Sequence, residues 1–174
     1  MYHTEHARVM NIRTNRESFA QLVGEHAVRM CELSKAEATD SKRGLMSTWV
    51  NVHKLNNEWA GLVTRGDHPD SEFTQVTNKL IHMYSEALGD YVLDKASGPE
   101  WRRKMGELVE TEQKFFNALG KGSGAPWLTY TASVIEMVNA MDRYGHKSET
   151  FDNVAAQCIK NGVLLGSYLD YSLK

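Results

Sequence analysis

The sequence has few of the residues that stabilise small domains by covalent or metal links. It contains only two cysteines among 174 residues. Two cysteines cannot form the dense disulfide framework of a small secreted domain, and neither lies in a zinc-site spacing such as Cys-x-x-Cys. Cys31 and Cys158 both fall in predicted helices among apolar neighbours, so we expect buried free thiols in a reducing cytosol. A single disulfide between them is the alternative.

Long hydrophobic runs are also missing. No stretch of about 18 consecutive apolar residues occurs, which argues against a membrane-spanning helix. The first 19 residues lack the apolar core of a secretory signal. We therefore expect a soluble, cytoplasmic protein with no membrane partner.

Charge of one sign is not in excess. The chain carries 20 Lys and Arg against 22 Asp and Glu, a formal net charge of −2. Each half of the chain, 1–87 and 88–174, has 10 basic and 11 acidic residues. Nucleic-acid-binding proteins usually carry a strong positive excess, so this class of partner is not expected from the overall charge.

What the sequence does contain is helical periodicity. Apolar residues recur at steps of three and four throughout, and no useful stretch alternates apolar and polar residues as a strand does. The 41% hydrophobic content suits one globular core. We predict a single-domain all-α bundle over 1–174, with an N-terminal arm or short helix at 1–15. Six main helices are predicted, at about 16–38, 41–65, 71–95, 99–119, 126–144 and 149–170.

Two details of these helices predict how they pack. The helix at 126–144 is apolar on most sides, which is typical of a buried central helix. Gly162 and Gly166 share one face of the last helix, where glycine is unfavourable unless it serves a purpose. We expect that face to approach another helix closely, inside the domain or across a dimer.

Two polar residues interrupt otherwise apolar helix faces. His26 lies in the stripe of the first helix and is either a core histidine bonded to a carbonyl or carboxylate, or a ligand or general base. Glu112 completes the stripe of the fourth helix, and we expect it to reach solvent at the edge of that stripe. Alternatively it faces His26 as an ion pair or half of a site. His53 flanks the stripe of the second helix and completes this candidate pocket.

The densest basic segment is the run from Trp101 through Arg102 and Arg103 to Lys104. Three cations in the first turn of a helix oppose its dipole, which suggests a phosphate or an acidic partner. A solvated face with cations spread around the turn is the simpler interpretation. The run is retained as a candidate binding patch.

Recognisable catalytic or cofactor motifs are missing. No Glu-x-x-His pair of a ferritin-like di-iron site occurs, and no Walker loop. We expect no metal and no cofactor. We also favour a binding protein over an enzyme. Four tryptophans and seven tyrosines can anchor interfaces. The first hypothesis is therefore an interaction or assembly protein, acting as a homo-oligomer or binding a larger protein. The alternatives are a ligand- or metal-binding bundle or hydrolase with a pocket at His26, His53 and Glu112, or nucleic-acid binding through Arg102–Lys104.

Overall fold

The computed structural model describes residues 18–65, 68, 70–93, 98–119 and 125–172. Within these ranges the chain forms helices and no strand, which confirms the predicted all-α single-domain bundle. The N-terminal arm predicted for residues 1–15 lies outside the described residues. The six helices are α1 (Phe19–Ala38), α2 (Lys42–Val63), α3 (Glu72–Val92), α4 (Gly98–Leu119), α5 (Ala125–Tyr144) and α6 (Glu149–Ser172).

The helix starts follow two local rules. Pro99 and Pro126 lie in the first turns of α4 and α5, where the missing amide proton of proline costs nothing. The other four helices begin after a serine whose hydroxyl accepts a hydrogen bond from the backbone amide three residues later: Ser18, Ser41, Ser71 and Ser148. Such caps satisfy amides that have no partner inside the helix.

The helices pack mainly as antiparallel neighbours. The start of α1 contacts the end of α6, where Asp170 binds the backbone of Phe19, and the end of α1 contacts the start of α6, where Lys35 lies over the ring of Phe151. Short connections make α1–α2 and α2–α3 antiparallel hairpins. By contrast, α3 and α5 run parallel, because Tyr84 bonds Thr131 and, two turns later, Tyr91 bonds Asn139.

The centre of the bundle is shared by two helices. As predicted, α5 is central: it packs against α1, α3, α4 and α6 and buries Tyr130, Val134 and Met137. One face of α5 nevertheless remains exposed, including Leu128 and Glu136. The helix α1 is equally central, since it packs against α2, α3, α5 and α6.

Glycines allow α1 and α6 to pack closely. A Cβ added to Gly166 would lie 2.1 Å from the carbonyl oxygen of Phe19, and one added to Gly162 would lie 2.9 Å from that of Val23. Both distances are too short for a real side chain. The predicted close approach at Gly162 and Gly166 is therefore confirmed, and it occurs inside the domain.

The two cysteines face each other across the same pair of helices. Cys31 of α1 and Cys158 of α6 are buried and free, which confirms the expected state of the thiols. The hydrogen bond between the two thiols lowers the pKa of Cys31 and raises that of Cys158. The Cys31 thiol also lies 4.0 Å from the carbonyl oxygen of Ala155.

The outer surface carries several large apolar side chains. On α2, Met46 is 74% exposed and Val50, one turn later, is 52% exposed. On α6, Leu164 and Tyr171 are similarly exposed. None of the helices in the described part of the chain combines the length and hydrophobicity that a bilayer span requires.

Candidate functional site

His26 joins three helices from the middle of the buried face of α1. Its Nδ1 lies 2.7 Å from the Tyr130 hydroxyl of α5, and its Nε2 lies 2.9 Å from the Ser85 hydroxyl of α3. A neutral imidazole has one donor nitrogen and one acceptor nitrogen, and both are used here. The expectation of a carbonyl or carboxylate partner was therefore wrong: the partners are two hydroxyl groups.

The environment of His26 keeps its ring neutral. Burial lowers its pKa from 6.5 to about 4, because an imidazolium in the core would lose its hydration. Neither ring nitrogen is free to accept a proton from another molecule. The geometry therefore supports a structural histidine and gives no support to a general base.

A stack of aromatic rings extends from His26 into the bundle. The ring of Trp59 from α2 meets His26 edge-on, with centroids 5.8 Å apart, and stacks on Trp127 from α5 at 5.5 Å. Trp127 in turn meets Tyr84 of α3 edge-on at 5.0 Å. Trp59, Tyr84 and Trp127 are referred to below as the aromatic cluster.

The hydrogen bond between Tyr84 and Thr131 has a defined donor and acceptor. The Thr131 hydroxyl donates its proton to the Trp127 carbonyl oxygen at 2.8 Å. Because a threonine hydroxyl has only one proton, the 2.7 Å contact between Tyr84 and Thr131 must use the proton of Tyr84. Tyr84 therefore donates to Thr131 and has no proton left for another acceptor.

Glu112 is the most unusual residue of the core. Its side chain is 0% exposed, and neither carboxyl oxygen has a hydrogen-bond partner among the described residues. The expectation that Glu112 reaches solvent was wrong, because the face of α4 that carries it packs inward with the buried Met105 and Val109. Burial raises its pKa from 4.5 to about 8, so the carboxyl group holds a proton at neutral pH.

The pairing of α3 with α4 shows what lies beside Glu112. The rings of Phe73 and Phe115 stack at one end of this pair, and Trp101 donates to the Ala87 carbonyl oxygen at the other. This antiparallel alignment places Glu112 at the level of Thr77. The buried hydroxyl of Thr77 also lacks a partner among the described residues.

The aromatic cluster adds two observations to this region. Glu112 contributes to the raised pKa of Tyr84, which shows that the carboxyl group lies within electrostatic range of that ring. The indole N–H of Trp59 is buried without an acceptor in the described structure. Glu112, Thr77 and the aromatic cluster together form the candidate site.

The structure does not bring the three predicted pocket residues together. His26 and Glu112 share no bond, since both nitrogens of His26 are occupied by hydroxyl groups and both oxygens of Glu112 lack partners. His53 is exposed and contacts the ring of Trp49 at 5.1 Å. It lies one residue beyond the buried Val52, and that step turns its side chain away from the core.

The candidate basic patch is divided between the core and the surface of α4. Trp101 is a core residue: it is buried and stacks on Tyr91 with centroids 4.4 Å apart. Lys104 pairs with Glu100 at 3.1 Å, and Arg103 pairs with Glu107 at 2.7 Å. Arg102 is exposed. Two of the three cations are therefore neutralised by neighbours one turn away on α4.

Within the described ranges, no three His, Cys, Asp or Glu side chains come together as a metal site. Comparison of the chain with protein-family models, with curated proteins and with solved structures returned no match. The function therefore has to be inferred from the geometry of the site.

Proposed function

We propose that the protein binds a small ligand between α3, α4 and α5, with the carboxyl group of Glu112 as the polar anchor. The observation that carries this proposal is the complete burial of that group without a hydrogen-bond partner. Burying a neutral polar group without a partner costs roughly 1–3 kcal/mol, and an ionised group costs more. A ligand that donates hydrogen bonds to the two oxygens would remove this cost.

The surroundings of Glu112 support a ligand site. Small-molecule sites are lined mainly by apolar and aromatic side chains with a few polar groups that orient the ligand. The aromatic cluster supplies the apolar surface, and the Trp59 indole and the Thr77 hydroxyl are further buried polar groups without partners. A buried polar group retained at the expense of stability is typical of a functional position.

A binding role agrees better with the structure than a hydrolytic one. A hydrolase with a pocket at His26 needs a histidine nitrogen that can take a proton from water. Both nitrogens of His26 are bonded, and its pKa of about 4 makes it a poor base. The proposal therefore assigns His26 to the framework of the bundle.

The proposal is tested by thermal unfolding with a panel of small alcohols, amines, carboxylic acids and neutral aromatic compounds. We expect one chemical class to raise the Tm of the wild type and to have much less effect on Glu112→Gln. Glu110→Gln is the matched control, because Glu110 lies on the exposed side of α4 and pairs with Lys114. A panel that shifts wild type and Glu112→Gln equally would contradict the proposal.

A second candidate function is self-association through α2. It is favoured by Met46 and Val50, which lie one turn apart on α2 and are 74% and 52% exposed, respectively. Exposed apolar pairs on one helix face are common at interfaces. Light scattering over a range of concentrations tests it, with Met46→Glu as the variant. A wild-type protein that stays monomeric at high concentration would exclude this role.

A further inference from the structure

We propose that the ligand held at Glu112 is a primary amine in its ammonium form, attached to a compact apolar group. This inference rests on the ligand site proposed above and names the chemical class that fits it. It follows from the charges on α4, from the hydrogen-bonding groups at the level of Glu112, and from the aromatic cluster, of which Tyr84 lies within electrostatic range of the carboxyl group.

The first argument is the missing countercharge. The described cations of α4 lie on its outer surface: Arg103, Lys104 and Lys114 each pair with a glutamate one turn away, and Arg102 is exposed. None of the described ion pairs includes Glu112. A buried carboxylate needs a positive partner to remain ionised. In this site the ligand would supply it.

The second argument is that the site offers acceptors to a ligand. An ionised carboxylate accepts hydrogen bonds with both oxygens and donates none. The Thr77 hydroxyl, at the same level, can accept another. Tyr84 donates its proton to Thr131 and therefore cannot satisfy Glu112 itself. An ammonium group, with three N–H donors, matches this set of acceptors.

The third argument is the aromatic cluster. Tryptophan and tyrosine rings present large apolar surfaces, which suit the hydrocarbon part of a ligand. Trp59 and Trp127 stack on each other, and Tyr84 meets Trp127 at its edge. An amine with an apolar group could place its charge at Glu112 and its hydrocarbon portion against these rings.

Binding of an ammonium ion should release a proton. Burial gives Glu112 a pKa of about 8, so the carboxyl group carries a proton at pH 7 before the ligand arrives. The carboxylic acid and the incoming ammonium ion become a carboxylate–ammonium pair, and one proton passes to the solvent. No electron transfer and no covalent bond to the ligand is involved.

Nearby titratable groups would not take up this proton. The helices packed against α4 are α3 and α5. On α3 the buried titratable residue is Tyr84, whose pKa is raised by burial and by Glu112, so it stays neutral. The charged residues of α5 are exposed: Glu136, Asp142 and Arg143.

Calorimetric titration with amines and their matched alcohols tests the inference. The probes are 3-methylbutylamine and benzylamine, compared with 3-methylbutanol and benzyl alcohol, at pH 7. We expect each amine to bind the wild type at least about tenfold more tightly than its alcohol, and Glu112→Gln to lose at least about tenfold in amine affinity. Glu110→Gln should bind as the wild type does. Titrations in phosphate and in Tris should differ by the heat of about one released proton.

The outcomes separate this inference from the proposed function. If the alcohols bind as tightly as the amines and depend on Glu112, the ligand site stands and the amine class is overturned. If the amines bind Glu112→Gln as well as the wild type, both proposals are overturned. If no probe binds the wild type at millimolar concentration, the amine class is overturned, and the other classes of the thermal-unfolding panel decide whether the ligand site stands. Amine binding without proton release would contradict the carboxylate–ammonium pair.

Discussion

The carboxylate of Asp170 caps the helix that begins at Phe19. One oxygen accepts a hydrogen bond from the Phe19 amide at 2.8 Å, and the other accepts one from the Ala20 amide at 3.1 Å. Asp170 lies near the C-terminus of α6, where a negative charge opposes the dipole of its own helix. It complements the N-terminus of α1 instead. The end of the last helix therefore helps to fix the start of the first.

We expect Asp170→Ala to destabilise the protein by about 1 to 2 kcal/mol, because two backbone amides lose a charged acceptor. Urea unfolding at pH 7 measures the change. Glu136→Ala, on the exposed face of α5, is the control and should change stability by less than about 0.5 kcal/mol. A loss at Asp170 no larger than that of the control would show that water replaces the cap.

The close contact of α1 with α6 predicts opposite results for two glycines. Gly166→Ala would place a Cβ against the Phe19 backbone, so the helices must move apart, and we expect a loss of about 1 to 3 kcal/mol or more. Gly106→Ala lies on the exposed side of α4, with no described atom within 4 Å of the added Cβ. We expect it to gain about 0.5 to 1 kcal/mol from its higher helix propensity.

Urea unfolding of both glycine variants gives the comparison. Because the two substitutions add the same methyl group to a helical glycine, their difference reports the space available at each position. Equal and favourable changes would mean that α1 and α6 are less closely packed than the structure shows.

Much of the fold could be predicted because helices and their ends are encoded locally. Periodic apolar positions, prolines in first turns and capping serines all act within a few residues. The start of α1 shows the limit of this reasoning. The periodicity predicts a start at about residue 16, whereas in the described residues Ser18 is the N-cap and Phe19 is the first helical residue. Asp170 supplies additional capping there from about 150 residues away.

The candidate site could be predicted only in part, for a related reason. His26 and Glu112 are recognisable because a polar residue interrupts an apolar stripe. The residues around them cannot be recognised in the same way. Ser85 and Thr77 look like ordinary helix residues until the packing of α3 is known. His53 was wrongly placed in the pocket because a residue at the edge of an apolar stripe can face either the core or the solvent. A rotation of the helix by one residue decides between the two, and here it exposes His53.

The hydroxyl partners of His26 predict how its replacement would act. We expect His26→Leu to destabilise the protein by about 2 to 4 kcal/mol, since the Ser85 and Tyr130 hydroxyls each lose a buried partner. Replacing all three residues, as His26→Leu with Ser85→Ala and Tyr130→Phe, removes the unsatisfied groups together. The triple variant should therefore be more stable than His26→Leu alone.

Guanidinium unfolding of the three single variants and of the triple variant measures the coupling between these side chains. Tyr144→Phe, which removes a hydroxyl from an exposed tyrosine, serves as the control for loss of a phenol group. Losses that simply add from one variant to the next would mean that the three side chains do not form a network.

Two of the buried titratable residues, Glu112 and His26, affect the stability in opposite ways as the pH changes. The pKa of Glu112 is raised from 4.5 to about 8 on folding, so between these values the folded protein binds a proton that the unfolded chain has lost. Its contribution to stability is complete below pH 4.5 and falls as the pH rises to 8. The pKa of His26 is lowered from 6.5 to about 4, so its contribution rises with pH over that range. The two effects oppose each other up to pH 6.5, and above it only that of Glu112 remains.

We therefore expect Glu112→Gln to gain stability relative to the wild type as the pH rises from 5 to 8, by at most about 1.4 kcal/mol per pH unit. Urea unfolding at pH 5, 6.5 and 8, at constant ionic strength, measures the difference. Glu110→Gln keeps the buried acid and should follow the pH profile of the wild type above pH 5. If the difference between Glu112→Gln and the wild type were the same at all three pH values, Glu112 would be ionised in the folded protein. The proton release expected on amine binding would then be lost as well.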